Sequence, residues 1–167
     1  MPNRTHAAFG GGWGWKAGEE HLLYTPEQLL DCYIRSVGRN SNLLLGMSIS
    51  TDGDFQDEEQ FKAFGRLIRE TFSDPAAAAG HPVMTEDRCT VTLPETQKIK
   101  YVVIREDVAE GQLIRKFRIL ADGVPVYESE CIGHKRIVPF EALEAGEITL
   151  EITKQAGDAR LRDIAIY

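Results

Sequence analysis

No stretch of this sequence approaches the ~20 consecutive apolar residues of a membrane-spanning helix. The opening MPNRTHAAFGGG holds no apolar run of secretory-signal length. Cysteine is scarce: Cys32, Cys89 and Cys131 form an odd set without metal-like spacing, which argues against a zinc site or a disulfide framework and reads as buried free thiols. The histidines His6, His21, His81 and His134 show neither ligand spacing nor a nucleophile–base pattern, and no serine elbow is present. No metal and no cofactor are therefore expected. Positive charge is in deficit: 19 Lys and Arg against 26 Asp and Glu give a net charge of −7. That balance argues against nucleic acid, whose phosphates call for clustered cations. The short pairs Arg115-Lys116 and Lys135-Arg136 read as solvation of strand faces.

What is present divides by texture. Phe9–Trp15 is a Gly-rich loop carrying two tryptophans. Thr25, Pro26 and Gln28 then form a capping box with proline at the first helical position. Leu29, Leu30, Tyr33 and Val37 recur at helical spacing, and Gly38 is a natural stop. Leu43 to Ile49 lacks polar alternation, as a parallel strand covered on both faces would. Asp57 followed by Gln60 caps a second helix, with Phe61, Phe64, Leu67, Ile68 and Phe72 in one stripe. Helix, parallel strand, helix is a unit of an α/β barrel and cannot bury itself. A barrel of this kind takes about 250 residues, whereas this chain has 167. The expectation is the last elements of a TIM-like barrel over residues 1–75, belonging to something larger. Its apolar surfaces predict a partner or self-association through residues 20–75.

Residues 76–87 read as a linker. From 88 to 167 short alternating runs appear at Arg88–Leu93, Ile99–Ile104, Leu113–Leu120, Val124–Glu128, Ile137–Phe140, Ile148–Ile152 and Leu161–Tyr167, separated by turns such as Asp122-Gly123 and Ala145-Gly146. This is the pattern of an antiparallel all-β sandwich or jelly roll. The fold class expected overall is thus an α/β remnant followed by a β-sandwich.

Two blocks carry a family resemblance. GGGWGW–TPEQLL–SVGRNSNLLL resembles the final barrel segments of α-L-fucosidases of the plant-type and bacterial α-1,3/4-acting group. Val103-Ile104-Arg105-Glu106-Asp107-Val108 with Gly111-Gln112, then Ile132-Gly133-His134-Lys135-Arg136-Ile137 and the closing Ile164-Ala165-Ile166-Tyr167, resemble the β-sandwich that follows that barrel. The chain departs from the pattern at Ser50 and Thr51, where a Pro-bearing loop is usual, and at Trp15, where tyrosine is common. Those changes bear on loop detail and substrate preference.

The resemblance implies a retaining glycosidase in which an Asp attacks and a Glu acts as acid and base, with carboxyls about 5–5.5 Å apart. In the family both lie before the aromatic loop, so no catalytic residue is expected here and the chain alone should hydrolyse nothing. The local pairs Glu19-Glu20, Glu58-Glu59 and Glu106-Asp107 read as solvated or capping. Trp13, and less directly Trp15, correspond to aromatics lining the fucose pocket, where an indole offers a broad rigid surface; the other reading has them plug the barrel mouth. GGGWGW lacks the strand–turn–helix context of a dinucleotide site. The implied partners are a fucosylated glycan and an upstream catalytic barrel segment. The alternative is a non-catalytic carbohydrate-binding or structural sandwich, although Tyr101, Phe117, Tyr127, Phe140 and Tyr167 lie in apolar-patterned strands and read as core.

Overall fold

The computed structural model describes residues 17–18, 23–47, 49–55 and 57–167. They fall into two compact units. One runs to Arg35 and resumes at Asn42–Ser73; the other joins Ser36–Ser41 to Asp74–Tyr167.

In the first unit, helix α1 spans Pro26–Ser36 and helix α2 spans Glu58–Phe72. The capping box forms as expected: the Thr25 amide donates to Gln28 Oε1 at 3.0 Å, and the Gln28 amide donates to Thr25 Oγ1 at 3.3 Å. Tyr33 of α1 meets Phe64 and Phe72 of α2, with ring centroids 6.5 and 6.3 Å apart. Asp57 takes the N-cap position of α2 without a side-chain bond to the helix amides.

The strand expected at Leu43–Ile49 is not formed. Asn42–Met47 carry no regular structure, Ile49 makes only an isolated bridge with Phe55, and Leu44 is 94% exposed. A parallel strand exists only through backbone partners in neighbouring strands, and among the described residues none pairs with Leu43–Met47, while the Ile49 bridge is antiparallel. The helix–strand–helix barrel unit is therefore reduced here to its two helices.

The second unit is an antiparallel sheet in the order β1-β6-β2-β5-β3-β4. Its strands are β1 Ala77–Gly80, β2 Arg88–Glu106, β3 Ile114–Ala121, β4 Val124–Glu130, β5 Arg136–Gln155 and β6 Leu161–Ile166. Four of the seven expected short strands fuse into two long ones. β2 and β5 stay paired through register breaks between Thr92 and Gln97 and between Ile99 and Tyr101. Such bulges bend a strand without ending it, so Gly146 sits inside a strand where a turn was expected, and Pro94 lies inside β2 in what read as the gap between two strands. The later half of β5 carries β3, and the end of β2 carries β6. One apolar core draws on both halves, including Val102, Ile104, Ile164 and Ile166 with Phe117, Ile119, Leu150 and Ile152.

The linker expected at 76–87 contains β1. Ala77 pairs with Ile166 and Ala79 with Ile164, and both alanines pack on the core. Backbone pairing needs no large side chain, so an Ala-rich composition concealed it.

Candidate functional site

Three stretches that are far apart in sequence meet where the chain leaves α1. Asn40 adopts a left-handed backbone (φ 64°), a conformation asparagine tolerates better than most residues. Its side-chain amide donates to the Ile132 carbonyl at 2.8 Å, and its Oδ1 accepts from the Lys135 amide at 2.9 Å. The Ile137 amide donates to the Gly38 carbonyl at 3.0 Å, and Arg39 pairs with Arg136 in an antiparallel bridge. Gly38–Asn40 thereby cover the edge of β5 at its start. Gly133 must be glycine here: its φ is +66°, and a Cβ would lie 2.6 Å from Asn40 Nδ2.

Glu106 anchors the same turn from the other side. It is 1% exposed. Its Oε1 accepts from the Leu113 and Ile114 amides at 2.6 and 2.8 Å, and its Oε2 accepts from the Gly133 amide at 2.8 Å. Its own amide donates to the Gly133 carbonyl at 2.9 Å. A carboxylate held by three backbone donors serves the fold, because it satisfies amides that burial would otherwise orphan. It is fully buried rather than solvated. Asp107 does cap, accepting from the Ala109 amide at 3.1 Å.

Arg136, expected on a solvated face, is buried. It precedes Val138 by two residues on β5, so both point towards the core. Its guanidinium donates to Tyr127 Oη at 3.2 Å and to Ser129 Oγ, and lies 5.9 Å from the centre of the Phe117 ring. His134 sits exposed in the turn, as its sequence context suggested.

Elsewhere on the second unit Glu151 binds Arg118 and Arg88 together. These two guanidiniums, Arg118 first, hold its carboxyl down from 4.5 to about 2. Burial pushes the Cys89 thiol up. Two adjoining open concavities of about 410 and 470 Å3 share Asp107, Asp158 and Arg160, and no Phe, Tyr or Trp lines either. Tyr127 lies tilted against the buried Phe117 ring and edge-on to Phe140, with centroids 6.1 and 6.4 Å apart, and both Tyr127 and Phe140 are half-buried against the core.

Trp13 and Trp15 lie outside the described residues, as does the Glu19-Glu20 pair. Glu58 and Glu59 pair with Lys62 in the first turn of α2. Among the described residues no cluster of His, Cys, Asp and Glu could hold a metal ion, and no helix is long and apolar enough to cross a membrane. Sequence reasoning quoted Asn40 inside a motif without giving it a task, and read Glu106 as solvated or capping and Arg136 as solvation of a strand face. The enrichment of asparagine at left-handed positions was the one available signal.

No protein-family model matches the chain. A curated relative from Oryza sativa subsp. japonica, described as "Putative alpha-L-fucosidase 1", is 25% identical over 93% of the chain. The crystal structure of a "putative alpha-L-fucosidase" from Bacteroides thetaiotaomicron matches with TM-score 0.84 and 29% identity over 94% of the chain. The chain resembles α-L-fucosidases over nearly its full length. A GH29 fucosidase of Ruminococcus gnavus, solved in complex with fucose, shares the fold at TM-score 0.77 and 20% identity over 93% of the chain. The resemblance read from the two motif blocks holds. The chain spans little more than a third of these fucosidases: 37% of the rice protein, 37% of the first structure and 39% of the second.

Proposed function

We propose that this chain is the C-terminal part of an α-L-fucosidase that removes terminal L-fucose from glycans by a retaining mechanism. One observation carries the reading: 93–94% of the chain aligns with fucosidases while covering 37% of their length. In this reading the catalytic Asp and Glu belong to the remainder of the protein. Trp13, with Trp15 beside it, lines the fucose pocket and packs on the apolar face of the sugar. The sandwich buttresses the barrel, and the Asn40–Gly133–Glu106 junction ties it to the chain leaving α1. Phe117 is buried and Tyr127 and Phe140 are half-buried against the core, which supports a buttress over a sugar-binding module, since the latter needs aromatic faces in solvent.

The test is co-expression of residues 1–167 with the upstream barrel segment, followed by assay on an aryl α-L-fucoside. The chain alone is expected to release no fucose, and the combination to be active. Activity from the lone chain, or none from the combination after the two associate, rules the reading out. In the active combination Trp13→Ala is expected to raise KM with a smaller effect on kcat, because it removes a contact present before the transition state.

A further inference from the structure

We propose that the concavity at the register break between Ile99 and Tyr101 of β2 binds a small zwitterion with a hydrocarbon body, an apolar amino acid or a short peptide. The inference goes beyond the fucosidase reading and does not depend on it.

The concavity holds about 620 Å3, within the range of small-molecule sites. At the break one residue of β2, Lys100, stands opposite Phe140, Glu141 and Ala142 of β5, so the two strands part without ending. The floor is apolar: Ile99 is 2% exposed, and Leu143 is half-buried on the core. The rim carries Lys98 and Lys100 from β2 and Glu141 and Glu144 from β5, all exposed. Lys98 and Lys100 lie two positions apart and so share one side of their strand. Three register pairs of opposite charge elsewhere in the sheet are bonded: Arg88 with Glu151, Arg118 with Glu151, and Arg105 with Asp163. Lys98 and Glu144 also face each other in register. Among the described residues neither joins an ion pair, and the same holds for Lys100 and Glu141. Two cations and two anions are thus held apart over an apolar floor. A ligand that spans them needs a carboxylate for the lysines, an ammonium for the glutamates and hydrocarbon between the two. A simple ion satisfies one pair and meets like charge at the other. No Phe, Tyr or Trp lines the concavity, which leaves a pyranose without a ring to pack on.

The test titrates residues 1–167 with the dipeptide leucyl-alanine and follows the ligand's NMR signals by saturation transfer. Saturable binding is expected at about 1 mM, the scale set by exposed charges and a ligand of this size. Acetylating the dipeptide's amine removes its ammonium, and amidating its carboxyl removes its carboxylate. Each cap is expected to weaken binding about two- to fivefold. Lys98→Met together with Lys100→Met should weaken the uncapped dipeptide by a similar factor and abolish the effect of amidation alone. Glu141→Gln together with Glu144→Gln should abolish the effect of acetylation alone, as coupled partners require. All four side chains are exposed, so both variants are expected to keep the fold. No saturation below about 20 mM, caps without effect on the parent protein, or a matched cap effect that persists in either variant overturns the proposal.

Discussion

Two glutamates of the second unit show how far a side chain's surroundings decide its task. Glu106 is surrounded by amides, and Glu151 by guanidiniums. Glu106→Gln keeps the size but turns an NH2 group towards at least one donor amide. A loss of about 1–3 kcal/mol is expected in urea unfolding, the cost of leaving a buried donor unmet. For Glu151 the folded-state pKa lies below its ordinary value. Its pairing therefore stabilises fully above pH 4.5 and is lost as the pH falls through about 2. Glu151→Gln should be less stable than the parent at neutral pH. The difference should close between pH 4.5 and 2, as followed by denaturant titrations across that window; a gap independent of pH would mean the pairing does not set it. Neither task was legible in the sequence, and distance along the chain is the reason. Glu106 reaches Gly133 across 27 positions, and Asn40 reaches Ile132 across 92. Charge pairs between neighbouring letters gave no hint of either.

Elements that depend on their own residues were readable, and elements that depend on neighbours were not. The start of α1 follows from Thr25, Pro26 and Gln28 alone, because its bonds close within one turn. Thr25→Ala should cost about 1 kcal/mol of helix stability, visible as lost helical circular dichroism at intermediate denaturant. The core positions of the strands were equally plain, since alternation marks the buried face wherever the strand happens to pair. Strand ends were not, because Pro94 and Gly146 serve equally in turns and bulges, and only the partner strand decides between them. Leu43–Ile49 is the opposite failure: an apolar run states that burial is wanted but not in what form.

At the scale of the molecule the first unit leaves apolar surface in water. Leu44, Ile49 and Phe55 are 94%, 55% and 45% exposed, and such groupings mark interfaces or aggregation. The lone chain is expected to self-associate, with sedimentation coefficients rising with concentration. The triple change Leu44→Ser, Ile49→Ser and Phe55→Ser should hold it monomeric. Adding the upstream segment should do the same if that segment is the natural cover; continued self-association in its presence would point to a surface elsewhere.

The six residues Ser36–Ser41 belong to the sandwich although more than thirty positions separate them from its remainder. The module is stitched from two places in the gene. A fragment begun at residue 74, where composition invites a cut, would leave the start of β5 unprotected and open to pairing with another molecule. Recombination that transplants this module between enzymes has to carry the exit of α1 along with the strands.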